Sequence, residues 1–387
     1  MNTRTWAEID LDALKYNIEE IRKITNPDAM IMAIVKSDAY GHGVTECAKT
    51  LLQHGADRLG VACCDEALQI RRAGITAPIL IIGASFEEEI CDIVKNDITC
   101  AVFSYDFALK ISQCAKQIGK TAKIHIKLDT GMTRIGFNTG ICDDDITDEI
   151  IKISQLDNIE TEGIFSHFST ADEKNGDYTK MQFSRFMKVC NMLEDKGLKI
   201  PIRHIANSAA IMMYPETHLD MVRAGIILYG FYPSEDVLKQ RLDLKKVMTL
   251  KSRITRINNA GKNVGVSYGK TYITKGDTKI ATVPIGYADG YTRMLSGKAK
   301  MLVNQQPVDV IGRICMDQCM IDVTNVHNIN TGDEVIIFGA DTVTADSLAS
   351  WLGTINYEIV CMVSKRIPRY YIQNKRTVNV LNYLSRM

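Results

Sequence analysis

The sequence lacks an excess of either charge. Its 387 residues include 46 Lys plus Arg and 46 Asp plus Glu, so the formal net charge is zero. Nucleic acids and anionic membranes are normally bound through a surplus of basic residues. The charge balance therefore argues against nucleic acid and against a membrane as the main partner.

The sequence also has no long apolar run. Its first eight residues lack the apolar core of a signal peptide, and runs such as Ala77–Ala84 are far shorter than the roughly 20 residues that span a membrane. The hydrophobic content of 46% is nevertheless that of an ordinary globular protein with a sizeable core. We therefore expect a cytoplasmic protein.

Metal-binding spacings are missing as well. The eleven cysteines form no Cys-x-x-Cys pair and no Cys/His cluster with zinc spacing. Their number is odd, and the adjacent Cys63 and Cys64 cannot easily form separate bridges. We expect reduced, mostly buried thiols and no bound metal.

Alternating strand and helix patterns fill the first 240 residues. Leu11–Ile24 has apolar residues at helical spacing, and Asp10 before it is a plausible N-cap. Strand-like runs then end near Lys36, Ala62, Ile82, Phe103, Leu128, Phe165, Ile205 and Val222. No Gly-x-Gly-x-x-Gly marks a dinucleotide crossover, so the pattern favours a (β/α)8 barrel of the TIM type over an open sheet.

The pattern changes after about residue 240. Short β-like runs separated by Gly, Asn and Asp turns indicate a mainly β domain that contains one helix, Ala345–Leu352. The runs are Val247–Ile257, Lys279–Val283, Ala299–Val303, Val308–Ile311, Met320–Val323 and Glu334–Phe338. We predict a barrel domain over residues 1–240 and a β domain over 241–387, with the first ten or so residues able to pack with the second domain.

Lys36 stands one step beyond a buried apolar strand, Ile31–Val35. Partial desolvation at a strand end disfavours the ammonium form, and a neutral amine condenses with an aldehyde to give a Schiff base. The ordinary alternative is a solvated lysine that opens a loop. Gly41 and Gly43, which permit close backbone approach, and the polar tips of Tyr40 and His42 favour a site.

Other polar residues fall at predicted strand ends, where the working face of a barrel is built. They are Lys127, Arg134, His167, His204, Asn207, Ser208, Arg223 and Gly225. Each of these residues alone could be an ordinary surface charge or a buried core group. Their predicted position on the same face of the barrel is what indicates a functional site. The Ser208 hydroxyl with the N–H groups of Gly225 and Ile226 suits a phosphate, although Asn207 and Ser208 also fit a simple helix N-cap.

Several longer motifs carry a family resemblance. They are Ala33–Gly43, His125–Arg134, Met221–Ile226, Gly265–Gly269, Ile285–Gly290, Gly312–Asp317 and Ile355–Glu358. In order and spacing they resemble those of the bacterial alanine racemases, and the similarity runs over nearly the whole chain. The resemblance implies interconversion of L-alanine and D-alanine with pyridoxal 5'-phosphate (PLP), supplying D-alanine for peptidoglycan, in a head-to-tail homodimer with shared active sites.

The resemblance also implies roles for individual residues. Lys36 would carry PLP as a Schiff base, and Arg223, which cannot accept a proton, would face the pyridine nitrogen. Lys36 and Tyr268 would be the two catalytic bases, and Tyr268, from the partner chain, would need a hydrogen-bonded path through His167 to cationic Arg223. The phosphate would be held by Tyr40, Ser208, Gly225, Ile226 and Tyr357, with Asn207 beside it and His167 against the ring.

The resemblance also implies which residues bind the substrate. Arg134 would contact the cofactor's phenolic oxygen and the substrate carboxylate, and Lys127, often N-carboxylated in the family, would give Arg134 an anionic partner. Met316 would present its backbone to the carboxylate, and Tyr287 would narrow the entrance.

Four alternatives stay open at this point. One is a broader racemase of the same family that also accepts serine, since an added hydroxyl is hard to reject by packing. Another is a serine hydrolase, because Gly265–Gly269 fits Gly-x-Ser-x-Gly around Ser267; its elbow would need a strand before and a helix after the serine. The others are a PLP-carrying regulatory protein, which the sizeable second domain opposes, and a related barrel decarboxylase, which Arg223 opposes.

Overall fold

The computed structural model describes residues 4–385. These residues divide into two compact units. The barrel unit comprises Leu14–Ala39 and Val44–Lys245, and the sheet unit comprises the described residues up to Ala13, Tyr40–Gly43 and those from Lys246 onward. No helix between residues 4 and 385 is long and apolar enough to cross a membrane.

The barrel unit is built on eight parallel strands. In chain order they are Met30–Ile34, Arg58–Val61, Ile79–Ile81, Thr99–Val102, Ala122–Asp129, Ile159–Phe165, Ile202–His204 and Met221–Ala224. Each of the first six pairs with the next, and the eighth pairs with the first. Between the seventh and eighth strands, the N–H groups of Asp220 and Arg223 donate to the carbonyls of Arg203 and Ala206. The nearly closed barrel confirms the predicted fold class.

Helices alternate with these strands. They are Leu11–Ile24, Val44–Gln53, Cys64–Arg72, Ile90–Lys95, Tyr105–Ile118, Asp143–Ser154, Asp177–Asp195 and Ser208–Met213. Short 3-10 turns occupy Glu87–Glu89, Pro215–Thr217, Ile226–Tyr229 and Lys239–Arg241, and a two-residue strand, Phe137–Asn138, pairs with the fifth barrel strand. Asp10 caps the first helix as predicted, because its carboxylate accepts from the N–H of Ala13 at 2.9 Å.

The sheet unit contains a ten-stranded mixed sheet. In chain order its strands are Thr5–Asp10, Met248–Arg253, Arg256–Ala260, Thr278–Val283, Lys300–Val303, Gln306–Ile311, Cys319–Asp322, Glu334–Phe338, Arg369–Gln373 and Arg376–Leu381. A hairpin of Gly265–Val266 with Tyr272–Ile273 stands apart. The helices are Ala345–Leu352 and Asn356–Cys361, with 3-10 turns at Tyr268–Lys270, Tyr287–Asp289, Arg293–Leu295 and Tyr383–Ser385.

The sheet unit departs from its prediction in several places. It has a second helix, Asn356–Cys361, where only Ala345–Leu352 was expected, and two strands that the predicted runs do not include, Arg369–Gln373 and Arg376–Leu381. The single predicted run Val247–Ile257 is two strands, because the chain leaves the sheet at Ile254 and Thr255 and pairs again with a different neighbour. The sequence pattern also missed Thr5–Asp10, which pairs antiparallel with Met248–Arg253 and parallel with Arg369–Gln373. A central strand six residues long, followed at once by a helix, has too little periodicity of its own to be recognised.

The barrel interior holds polar rings as well as apolar side chains. His125 and His204 are fully buried, and their rings lie edge to face with centroids 5.1 Å apart. The neighbouring sixth strand makes room for them at Gly163, where an added Cβ would lie 2.5 Å from the ring of His125. The absence of a side chain at residue 163 is therefore a packing requirement.

We predict that Gly163→Ala lowers the free energy of unfolding by about 1–3 kcal/mol, the usual cost of overpacking a core. Gly276→Ala is the matched control, because nothing lies within 4 Å of a Cβ built there. Denaturant unfolding of both variants measures the difference. Equal midpoints for Gly163→Ala and the unmodified protein would show that His125 can move aside without cost.

Candidate active site

Lys36 follows the first barrel strand and begins a left-handed turn. Ser37, Asp38, Ala39 and Tyr40 all have φ between 52° and 55°. A left-handed conformation costs L-residues roughly 1–2 kcal/mol each, so a run of them persists only where the surroundings hold it. The half-buried Lys36 side chain is thus presented by a strained backbone that follows a fully buried strand.

Carboxylates hold this turn in the barrel unit. Glu66 accepts from the N–H of Ser37 at 2.6 Å and from the N–H of Ala62 at 2.7 Å, which ties the ends of the first two strands together. Asp38 accepts from the N–H of Val44 at 2.8 Å. Sequence analysis missed Glu66; its signal is an acidic residue in the first turn of the helix after the second strand.

Arg223 is a buried cation of the barrel unit. Only 4% of it is exposed, and its guanidinium donates to His204 Nδ1 and His167 Nδ1, each at 3.0 Å. It also donates to the carbonyls of Ser166 and Ile205 at 2.7 and 2.9 Å. Among residues 4–385 we find no acceptor for its Nε–H. Burial, followed by the charge of Arg134, lowers the pKa of Arg223 to about 9, so it stays cationic at neutral pH.

His167 is neutral beside this cation. Burial, and then the charges of Arg223 and Lys127, hold the pKa of His167 well below its usual value. Since the guanidinium can only donate, His167 Nδ1 must be the accepting nitrogen, and the proton sits on Nε2. The expected hydrogen bond between His167 and Arg223 is present.

Lys127 lies on the fifth strand and is 3% exposed. Its Nζ donates to the carbonyl of Leu128 at 2.9 Å and lies 5.0 Å from the centre of the Phe165 ring. Burial, and then the charge of Arg223, lower the pKa of Lys127 to about 7. A substantial fraction of this amine is therefore uncharged at neutral pH, which makes it a nucleophile.

Asp129 shapes the loop that carries Arg134. Its carboxylate accepts from the N–H groups of Gly131, Thr133 and Arg134 at 2.9 to 3.0 Å. Burial alone would raise the pKa of Asp129, but these three donors outweigh it and hold the pKa below its usual value. The Arg134 side chain is consequently carried, exposed, at the end of the fifth strand.

The predicted phosphate residues of the barrel unit lie together. Ser208 Oγ accepts from the N–H of Gly225 at 3.0 Å, and Asn207 caps the short helix by accepting from the N–H of Ala210. Ile226 begins the next 3-10 turn. Both readings of the Asn-Ser segment therefore fit: Asn207 is a helix cap, and Ser208 lies against Gly225.

The remaining predicted cofactor residues belong to the sheet unit. The rings of Tyr40 and Tyr357 have centroids 6.1 Å apart. Gly41 and Gly43 have φ of 81° and 91°, and Cβ atoms there would lie 2.3 Å from the carbonyl oxygen of Val360 and 1.9 Å from a tyrosine hydroxyl. These two glycines are thus required by packing within the sheet unit, whatever they permit toward a ligand.

Three exposed side chains predicted to serve substrate also lie in the sheet unit. Tyr268 is 66% exposed, Met316 53% and Tyr287 44%. The loops of Tyr287 and Met316 are joined, because the N–H of Tyr287 donates to the carbonyl of Cys315 and that of Ala288 to the carbonyl of Met316. Exposed aromatic and Met side chains of this kind favour a protein interface or ligand site over the ordinary surface.

The backbone around Ser267 does not have the geometry that a serine hydrolase requires. Ser267 follows a two-residue strand and precedes a short 3-10 turn, whereas a nucleophile elbow requires a helix after the serine. Its hydroxyl donates to the carbonyl of Arg313 at 2.6 Å. Ser267 therefore joins two loops of the sheet unit.

The fold and the barrel residues define a class. A parallel (β/α)8 barrel with basic and hydrogen-bonding side chains at the carboxyl ends of its strands, on a chain that also carries a sheet-rich domain, is a barrel enzyme. The chain matches the family described as alanine racemase, N-terminal domain, over residues 9–233, and alanine racemase, C-terminal domain, over residues 247–371. It belongs to the alanine racemase family, a family of isomerases.

Individual relatives agree over almost the full length. The chain is 53% identical to the alanine racemase of Methanococcus maripaludis over 370 residues, 95% of this chain and 98% of that protein. It is 51% identical to alanine racemase 1 of Clostridium acetobutylicum over 382 residues, 98% of each. The alanine racemase of Clostridium difficile 630 superposes with a TM-score of 0.96 at 47% identity, covering 99% of this chain and 100% of that one.

The chain is also similar to a relative whose structure contains a bound ligand. The alanine racemase of Bacillus anthracis with bound L-Ala-P superposes with a TM-score of 0.93 at 37% identity, and the match covers 100% of both chains. The resemblance inferred from the motifs is thereby confirmed at the level of family and fold.

We predict that Asp129→Asn lowers the free energy of unfolding by about 1–3 kcal/mol at neutral pH, because three backbone donors lose a charged acceptor. Since folding depresses the pKa of Asp129, this stabilisation is present above about pH 4, the usual pKa of unfolded aspartate, and is lost as the pH falls through the lower folded value. Urea unfolding at several pH values measures it, with the exposed Asp157→Asn as control. A difference that persists unchanged in acid would contradict the assignment.

Proposed function

We propose that the protein interconverts L-alanine and D-alanine with PLP attached to Lys36, and so supplies D-alanine for peptidoglycan. The observation that carries the proposal is the buried Arg223, which donates to His167 near three further basic side chains: Lys36, Lys127 and Arg134. Relatives called alanine racemase, about half of whose residues are identical to this chain, support the choice of substrate.

The residues of the barrel unit fit such a cofactor. PLP presents a phosphate, a phenolic oxygen and a ring nitrogen, all of which accept hydrogen bonds. The unit offers an amine at Lys36, the cation of Arg134, the open Nε–H of Arg223, and the Ser208 hydroxyl next to the N–H groups of Gly225 and Ile226. In this structure the Gly225 N–H is donated to Ser208, so we expect that hydroxyl to turn when a phosphate binds.

The residues that would hold the cofactor are the predicted ones: Lys36, Tyr40, Arg134, His167, Asn207, Ser208, Arg223, Gly225, Ile226 and Tyr357. When bound, PLP withdraws electrons from the amino acid and so acidifies its Cα–H. Because a guanidinium only donates, Arg223 would leave the ring nitrogen without a proton of its own. This would limit electron withdrawal and favour return of the proton to Cα over transfer elsewhere.

Two bases on opposite faces would then exchange the Cα proton. Lys36 Nζ would hold it on one face and Tyr268 Oη on the other. One base that cannot cross the substrate plane would return the proton to the face it left, so inversion requires both. Arg223 would supply the positive charge that favours an ionised Tyr268, acting through the neutral His167 to which it donates.

The substrate carboxylate would bind to Arg134 and to the backbone of Met316, with Tyr287 at the entrance. Asp129 fixes the loop of Arg134 through three backbone hydrogen bonds, so the backbone that carries the guanidinium is held in place. L-Serine is the competing substrate, because a site that accepts a methyl group rejects a hydroxymethyl group only weakly.

We predict that the protein loaded with PLP brings the circular dichroism of L-alanine to zero as the racemate forms. Lys36→Ala should abolish this change and the absorbance of attached cofactor, and borohydride should fix PLP on Lys36 alone in the unmodified protein. Lys152→Ala, on an outer helix, is the control and should behave normally. A constant signal with cofactor visibly attached would end the racemase proposal, and parallel assays with L-serine define its breadth.

We predict that Lys127 is N-carboxylated. Its neutral Nζ attacks CO2, an N–C bond forms and one proton is released, which would give Arg134 an anionic partner. Because the amine must be neutral and its pKa is about 7, the modified fraction should rise as the pH passes upward through that value and vanish in acid. Labelled bicarbonate and carbon NMR detect the adduct, and Lys127→Arg is the control; a missing signal at mildly alkaline pH argues for a free amine.

We predict that active sites are shared between two chains, as exposed Tyr268, Tyr287 and Met316 suggest. Inactive Lys36→Ala and Tyr268→Phe proteins, dissociated and mixed, should then regain activity, since a heterodimer has one site with both bases. Each variant remixed with itself is the control and should stay inactive. Verified heterodimers without activity would mean that both bases come from one chain.

A further inference from the structure

A line of hydrogen bonds leads from Arg223 into the barrel interior. Arg223 Nη1 donates to His204 Nδ1 at 3.0 Å, and His204 Nε2 lies 2.8 Å from His125 Nδ1. His125 Nε2 lies 3.2 Å from Glu162 Oε2. Glu162 also accepts two bonds from Arg58, at 2.6 and 2.8 Å. We call the two histidines and Glu162 the inner relay.

Arg223 and Glu162, at the two ends of this line of hydrogen bonds, determine which nitrogen of each histidine carries the proton. The guanidinium of Arg223 can only donate and the carboxylate of Glu162 can only accept. His204 must therefore accept at Nδ1 and donate from Nε2, and His125 must do the same toward Glu162. Burial holds the pKa of both histidines below its usual value, so both rings are neutral, as this arrangement needs.

The backbone is adapted to bring Glu162 to this place. Ile124 pairs with Thr161, but the next residue, His125, pairs with Gly163, so Glu162 is an extra residue in the sixth strand. Such a bulge re-aims a side chain, and the Glu162 side chain is only 7% exposed. The missing side chain at Gly163 leaves room for the ring of His125.

A purely structural explanation is a buried ion pair that stabilises the barrel. Arg58 makes two bonds to Glu162, and Lys123 Nζ lies 3.5 Å from the same carboxylate. An ion pair of this kind needs no histidine, and burying one is weak evidence of stabilisation. The hydrogen bonds run without a break from Glu162 to Arg223, and one set of proton positions satisfies all of them. A purely structural ion pair does not explain this arrangement.

We propose that Glu162 is a positioning residue for Arg223, acting through His125 and His204. By accepting the proton of His125, it keeps a lone pair on His204 Nδ1 and so holds the guanidinium in place. If His204 carried its proton on Nδ1, two N–H groups would face each other and Arg223 would shift. The catalytic half of this inference rests on the proposed function, in which Arg223 faces the cofactor ring.

The first test needs no cofactor. In protein carrying nitrogen-15 histidine, NMR should show His125 and His204 neutral with the proton on Nε2, assigned from His→Gln variants. Glu162→Leu removes the acceptor and should change both signals. Glu162→Gln keeps an acceptor and should preserve them, and Glu160→Gln, an exposed carboxylate two residues away, is the matched control.

The second test uses the PLP-loaded enzyme. Glu162→Leu should lower kcat about tenfold with little change in KM, because a displaced Arg223 affects the reacting state more than substrate binding. Glu162→Gln should lose less, and Glu160→Gln nothing. A variant that merely loses stability would show the full kcat once corrected for folded protein.

Unchanged histidine signals in Glu162→Leu would overturn the proposal, and so would changed signals with a normal kcat. If Glu162→Leu does not fold, Arg58→Leu with Glu162→Leu removes both charges together, a replacement that buried ion pairs often tolerate, and the same two readings apply. Failure of PLP to attach to Lys36 would end the proposed function while leaving the cofactor-free histidine result to be judged alone.

Discussion

The Arg223 guanidinium is buried, and no carboxylate among residues 4–385 forms an ion pair with it. An unpaired buried charge is expensive, and hydrogen bonds to carbonyls and ring nitrogens offset the cost here. Because arginine cannot give up its proton at ordinary pH or accept one, both histidine partners must remain neutral. The protonation states of the barrel interior therefore follow from the placement of this cation.

The same cation contributes to the electrostatics of the strand ends. Burial is the larger cause of the lowered pKa of His167, His204 and Lys127, which is about 7 for Lys127, and the charge of Arg223 adds to it in each case. A cluster of positive groups with few counter-charges opposes folding, and an anionic ligand would relieve it. Clustered positive charges that disfavour folding are expected at sites of binding and catalysis, where the charges are needed.

Much of this arrangement is visible in the sequence because strand ends in a barrel share one face. The eight strand-like runs end within two residues of the observed strand ends, so Lys36, His167 and Arg223 were assigned to the correct end of the barrel from periodicity and resemblance. Membership of the family and the two-part fold were likewise predictable. The contact of Arg223 with His167 was expected on chemical grounds.

The parts that escaped prediction depend on conformation that local pattern does not encode. Ser37–Tyr40 are four non-glycine residues in the left-handed region, which no propensity favours. The turn is held because Glu66 accepts from the N–H of Ser37 and because the Asp38 carboxylate, within the turn, accepts from the N–H of Val44 beyond it. The bulge at Glu162 could not be predicted from the sequence either, because the pattern of a strand does not reveal one extra residue. Glu66, 29 residues from Ser37 in the chain, supports the first irregular backbone, whereas the second places Glu162, whose hydrogen bonds lead through His125 and His204 to Arg223. Both irregularities adjoin a basic side chain: the left-handed turn begins directly after Lys36, and the bulge is connected to Arg223 by hydrogen bonds.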